Sequence, residues 1–192
     1  MPKVVAEYKV QAQTRIMEAA QVVFRRKGFS HATMDDVAKE IGVSKGALYL
    51  YFRTKLDLLV AIQRRSRDDT LRRWEGLLEE GDVADGLAGS MDPIFSGEID
   101  PSLWFQMVAE SASDPMLRKA LEVDQREDVR VMRQFLERLE ERKRIPKMQD
   151  ATAMAEVVLM LFYGSLAGVI LGGRPKDARR KLVRGLQFAL GT

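Results

Sequence analysis

A chain of 192 residues can bury a substantial core, and with no cysteine and a single histidine, His31, it offers neither disulfides nor a thiolate or histidine-rich metal site. Its net charge of +3 is unevenly placed: residues 1–65 hold 12 Lys/Arg against 6 Asp/Glu, giving +6, and the remaining residues hold 19 against 22, giving −3. A basic third beside a mildly acidic body suggests a phosphate-binding module attached to something that does not bind phosphate, and the shortage of nucleophiles, acid/base sets and metal-ligand spacing argues against an enzyme, with no catalytic residues, metal or cofactor expected.

Taken in chain order, almost every segment has helical rather than alternating periodicity, which predicts an all-α fold. The start, Met1 to Tyr8, carries Lys3 and Glu7 and no apolar run of the secretory kind, so a cytoplasmic protein is expected. A first helix is predicted from about Thr14, with Ile16, Ala19, Ala20, Val23 and Phe24 on one face and Gly28 ending it. Thr33 opens a second helix as its cap, with Asp35 and Asp36 near the positive end, and Gly42 closes it after about two turns. Ser44 caps a third, predicted to run from Lys45 to Phe52. Thr54, with Asp57 three residues on, then starts a long fourth helix that continues through Trp74 to Glu80, with Gly81 closing it. Asp100-Pro101 and Asp114-Pro115 mark later starts, the acid capping and the proline taking the first helical position; Pro146 and Pro175 mark further breaks.

Two short helices joined at Gly42-Val43-Ser44 have the length and punctuation of a helix-turn-helix, about residues 33–52. Ala38 and Gly42 allow a close crossing, and Val37, Ile41, Val43 and Leu48 supply the apolar seam. What remains exposed points to phosphate: Ser44, Lys45 and Gly46 gather a hydroxyl, an ammonium and backbone amides at one helix end, Gly46 leaving room for a sugar-phosphate backbone. Tyr49 and Tyr51 can reach phosphates or base edges, Lys55 can clamp the flanking strand, and Phe52 reads as core. His31 reads as a surface loop residue.

The run from Thr33 to Lys55, TMDDVAKEIGVSKGALYLYFRTK, resembles the signature of TetR-family regulators, the likeness extending from about Ile16 to Leu59. The resemblance implies DNA contacts at Thr33, Ser44, Lys45, Gly46, Tyr49 and Lys55. Many members carry a polar residue in place of Ala47 and a histidine in place of Tyr51, so base preference at these positions does not transfer. It also implies a division into residues 1–54, a three-helix DNA-binding domain, and residues 55–192, a helical bundle for ligand binding and dimerisation.

Beyond residue 80 the residues speak for themselves. Val157–Gly173 is 17 uncharged residues, at the low edge of what spans a bilayer, and a buried helix fits better; the alternative is a membrane-associated interaction protein anchored by 157–173. Gly164 and Gly168, with Ala167, form a small-residue face. In a TetR-like homodimer this face, with Leu171 and the Leu182 and Leu186 of the last helix, is expected to meet its copy. Large adaptable side chains cluster in the middle, and Trp104, Met107, Val108, Phe95, Met132, Phe135 and Tyr163 are the candidates for a pocket holding a small, largely hydrophobic effector, with Gln106 and Glu110 as candidate polar contacts. A repressor released from a palindromic double-stranded operator by such an effector is the expected function.

Overall fold

The computed structural model describes residues 2–99 and 101–192, with side chains from Tyr8 onward. Among the described residues there are ten α-helices and no strand: α1 (Pro2–Lys27), α2 (Met34–Ile41), α3 (Lys45–Tyr49), α4 (Lys55–Trp74), α5 (Val83–Gly89), α6 (Asp92–Phe95), α7 (Ser102–Glu110), α8 (Pro115–Glu141), α9 (Ala151–Ile170) and α10 (Pro175–Leu190), with one 3-10 turn at Glu75–Leu78. The all-α expectation holds.

Most boundaries follow from local chemistry. Thr33 and Asp36 form a reciprocal capping box at the start of α2, and Gly42 ends that helix at φ 70°, a left-handed conformation that costs glycine little. Thr54 and Asp57 make the same exchange before α4, each backbone N–H donating to the other's side chain at 2.9 and 3.0 Å. Asp114 accepts from the amides of Met116 and Leu117, and Asp150 from those of Thr152 and Ala153. The Asp100 cap lies outside the described residues. Helix α1 begins about three turns before the predicted Thr14; Tyr8 and Val10, ahead of that point, are exposed. Helix α3 stops at Tyr49, three residues short of Phe52, and α4 gives way to the 3-10 turn after Trp74.

The chain divides into two compact units, Met1–Ser66 with Leu103–Leu121, and Arg67–Ser102 with Glu122–Thr192. The sequence suggests a break at residue 54. By packing, the first unit extends into α4: Leu58 and Leu59 are buried in the first core together with Ile16, Val23, Phe24 and Leu48, and α7 and the start of α8 add Met107 and Leu117 to it. Each such large side chain contributes about 1.5–3 kcal/mol relative to exposure.

In the second unit α10 packs on α9, α5 and α6. Ala155, Val158, Phe162 and Leu166 make the buried stripe of α9, and Ala178, Leu182, Leu186 and Leu190 that of α10. Trp74 lies against Phe135 and Phe162, with ring centroids 5.3 and 6.4 Å away. Helix α9 has the length and apolarity of a membrane span; its stripe of four buried residues is the pattern of a helix seated in a bundle.

Candidate nucleic-acid interface

The turn at Gly42 delivers Ser44 in an extended conformation, so its Oγ accepts from the amide of Ala47 at 3.2 Å and starts α3. Leu48 is fully buried and anchors this one-and-a-half-turn helix to the first core. With Leu48 turned inward, Ser44, Lys45, Gly46 and Tyr49 are exposed together. A Cβ placed on Gly46 would meet only Ser44 Oγ, at 4.0 Å, so the space in front of it is open. The first amides of the helix lack intrahelical acceptors, and they share this surface with the Lys45 ammonium.

The acids of α2 organise the cations around it. Lys45 Nζ lies 2.7 Å from Asp35 Oδ1 and 5.9 Å from the Tyr49 ring centroid. The Asp35 carboxylate, through its hydrogen bond and its charge, raises the Lys45 pKa. Lys27 Nζ lies 2.6 Å from Asp36, and Arg26 2.9 Å from Glu40, tying the end of α1 to α2. The Lys27 hydrogen bond, then that of Thr33, holds Asp36 down to about 2.

Three of the seven residues expected at this surface have other occupations. Lys55 donates to the backbone carbonyls of Phe29 and Ser30, both at 2.8 Å, and of Ala32 at 3.3 Å, and its ammonium sits 4.8 Å from the Phe29 ring centroid. Three donors meet three acceptors, so this lysine ties the α1–α2 loop to the start of α4 instead of presenting a free charge. Tyr51 is half-buried against the first core beside buried Phe52. Thr33 is exposed, but its hydroxyl both accepts from the Asp36 amide and donates to the Asp36 carboxylate. Two exposed apolar residues escape the sequence reading of this surface: Leu50, 82 % exposed, and Val43, expected in the seam but exposed at the turn. A leucine directly after Tyr49 is the available signal.

Comparison with known proteins bears on this module and on the whole fold. The profile of bacterial regulatory proteins of the tetR family matches residues 16–62. Over 96 residues, half of the chain, the sequence is 38 % identical to the HTH-type transcriptional regulator YfiR of Bacillus subtilis, covering 47 % of it. The fold matches Salmonella enterica GusR with a TM-score of 0.73 at 22 % identity, covering 94 % of this chain and 95 % of that one. It also matches Bacillus subtilis FadR, solved in complex with stearoyl-CoA, with a TM-score of 0.71 at 17 % identity, covering 92 % and 97 %.

Residues 16–62 are thus similar to bacterial regulatory proteins of the tetR family. The relatives matched in sequence are HTH-type transcriptional regulators. The matched segment spans about half the length of YfiR.

The candidate effector residues fall into two groups. Trp104, Met107 and Val108 lie on α7 in the first unit, where Met107 is buried in the core, Trp104 packs against it and Val108 is exposed. Phe95, Met132, Phe135 and Tyr163 lie in the second, where Met132 and Phe135 are buried and Phe95 and Tyr163 half-buried. Glu110 is half-buried, its Oε2 out of solvent without a hydrogen-bond partner among the described residues, whereas Gln106 is exposed. A groove of about 420 Å³ in the second unit is lined by Phe135, Leu71 and Val131, but also by Glu75, Arg130, Gln134, Glu137, Arg138 and Glu141. That rim is too charged for a purely apolar ligand.

Also within the second unit, Arg67 reaches Asp128 at 2.5 Å and pairs with Asp124 as well. Burial lifts Asp128 to about 6 despite Arg67, with Asp124 and Glu127 adding to the rise; burial and the same aspartates push Tyr163 to about 12.

The expected dimer residues also divide. A Cβ added at Gly164 or Gly168 would meet nothing within 4 Å, and Leu171 is 86 % exposed, so this part of α9 is open. Leu182 and Leu186 are instead fully buried: the amphipathic period of α10 turns them onto its own unit and leaves Phe188, 93 % exposed, outward. Val157, Met160 and Ile170 are exposed on α9 as well.

Proposed function

We propose that this protein is a DNA-binding transcriptional regulator that represses from a roughly palindromic operator as a homodimer and is released by a small, largely hydrophobic effector. The observation that carries the reading is the joint exposure of Ser44, Lys45, Gly46 and Tyr49 at the start of a short helix anchored by buried Leu48. A hydroxyl, an ammonium and orphan amides facing one way suit phosphate oxygens, and Tyr49 with Leu50 suits a groove wall, where an apolar side chain can meet a thymine methyl. Lys55 supports this surface from behind by holding the loop that launches α2.

Dimerisation is supported by the exposed apolar set Val157, Met160, Ile170, Leu171 and Phe188 with the open glycines of α9; such a set favours burial against another apolar surface. Two protomers related by a two-fold axis would address half-sites about one helical turn apart. The effector class is supported by the aromatic and methionine content of the candidates within each unit, Trp104 and Met107 in the first and Phe95, Met132 and Phe135 in the second, and by the stearoyl-CoA bound to FadR. Because α4 is one helix shared by both units, an effector that prefers one of its positions would shift the spacing of the two recognition surfaces by that differential affinity. The protein would act in the cytoplasm, where the operator is.

Selection of bound duplexes from a random pool tests the reading. Enrichment of a palindrome with steep salt dependence is expected; recovery of unselected sequence would refute it. Extraction without detergent separates the dimer face from a membrane anchor at 157–173.

A further inference from the structure

We propose that Asp35 is a built-in brake on DNA affinity: it neutralises Lys45 in the free protein, so that the recognition surface meets the phosphate backbone with one cation fewer than its sequence suggests. The inference rests on the DNA-binding reading and adds to it a residue that opposes binding.

Three observations converge on Asp35. Its carboxylate is 2.7 Å from the Lys45 ammonium, a contact between α2 and α3. Both side chains are about half exposed, Asp35 at 50 % and Lys45 at 57 %, so any phosphate that approaches Lys45 also approaches Asp35. Asp35 is not part of the capping box of α2, although its charge also sits in the first turn of that helix. The capping box of α2 is made by Asp36, whose carboxylate takes the Thr33 amide, the Thr33 hydroxyl and Lys27. The remaining acid of α2 with a cation partner, Glu40, holds Arg26. Asp35 is therefore the one of these three whose partner stands on the recognition helix.

Sequence-independent DNA affinity comes from counterions released as cations neutralise phosphates, with log K falling by about 0.9 per log unit of salt for each phosphate neutralised. A lysine already paired with a carboxylate at the same spot adds little net positive charge, so the pair contributes close to nothing to that slope. The contact with Asp35 also keeps the ammonium beside the Tyr49 ring, limiting its reach toward other phosphates. A surface that relies less on general attraction leaves more of its discrimination to base-edge contacts.

The test is equilibrium binding of the full-length protein to a random-sequence duplex across a salt series. Asp35→Asn and Asp35→Ser both remove the charge; Asp35→Glu keeps it. The charge-removing variants are expected to bind about eightfold tighter near 0.1 M salt, with a slope steeper by about 0.9, while Asp35→Glu follows the wild type. Thermal melting of each variant checks that α2 is intact, and agreement between the Asn and Ser variants separates loss of charge from loss of helix stability. If wild type binds with salt dependence but the Asn and Ser variants bind with equal or weaker affinity and an unchanged slope, Asp35 only positions Lys45 and the brake is refuted. If wild type shows no salt-dependent binding to any duplex, the DNA-binding reading fails and the brake with it.

Discussion

Replacing Lys55 by Met keeps the apolar stem of the side chain and removes its three donors, which separates a scaffold role from a phosphate contact. In the folded protein the ammonium serves the carbonyls of Phe29, Ser30 and Ala32 and lies over the Phe29 ring. Two of these bonds are part-buried, and counting about 1 kcal/mol for each, less for the exposed one and ~0.5 kcal/mol for the ring contact gives a cost of roughly 3 kcal/mol. Trp104 packs against the first core and Trp74 lies in the second unit, so urea unfolding followed by fluorescence in a Trp74→Phe background reports on the affected unit. The loss should appear there, while the salt slope of DNA binding stays at the wild-type value. A stable Lys55→Met protein whose slope is shallower by about 0.9 would mean that Lys55 meets phosphate and that its carbonyl contacts are incidental.

Gly42→Ala places a side chain at φ 70° with open space around it, so the expected cost is conformational, about 1 kcal/mol; an unchanged unfolding midpoint would contradict the left-handed cap. Phe188→Glu puts a charge on the proposed dimer face and should give monomers in sedimentation velocity at concentrations where wild type is dimeric, whereas an unaltered dimer would place the interface elsewhere. Asp128 titrates at about 6 in the folded chain against 3.8 as its ordinary value. The folded state therefore holds this proton more tightly, and the group stabilises the protein as pH falls through 6, reaching up to ~3 kcal/mol at about 1.4 kcal/mol per unit once the pH is below the ordinary value. Asp128→Asn should remove that gain, and melting curves at pH 5 and 7 that shift equally in variant and wild type would refute it.

Local chemistry is what the sequence makes legible. Thr33 with Asp36, Gly42, Ser44, and Asp114 with Pro115 each specify a helix end within a few residues, and each helix end lies there in the structure. The exposed cluster at Ser44–Gly46 follows from the same reasoning, because once Leu48 must face inward the helix period fixes which neighbours cannot. Long-range decisions are not legible. Nothing local says that α7 completes the first core, so Met107 reads as a pocket residue from sequence and the domain boundary falls at residue 54. The convergence of three loop carbonyls on Lys55 depends on how residues 28–33 fold back, with Gly28 at φ 76°, and carbonyl directions leave no trace in side-chain identity. The apolar identity of Leu182 and Leu186 signals burial, but an amphipathic helix does not announce whether its stripe faces its own unit or a second copy; only the packing of α10 on α9 and α5 decides it.

The most direct test of the central claim is the salt dependence of binding by wild type and Lys45→Ala on a duplex recovered by selection. Removing the ammonium lowers the net charge of the α3 surface by one and leaves Asp35 without its partner. If the exposed start of α3 is the phosphate-binding surface, the variant leaves the Asp35 charge unpaired against the phosphates and binds every sequence more weakly, with little change of slope because the pair contributes close to nothing to it. Equal affinity in variant and wild type at every salt concentration would contradict it and move the DNA-binding surface away from α3.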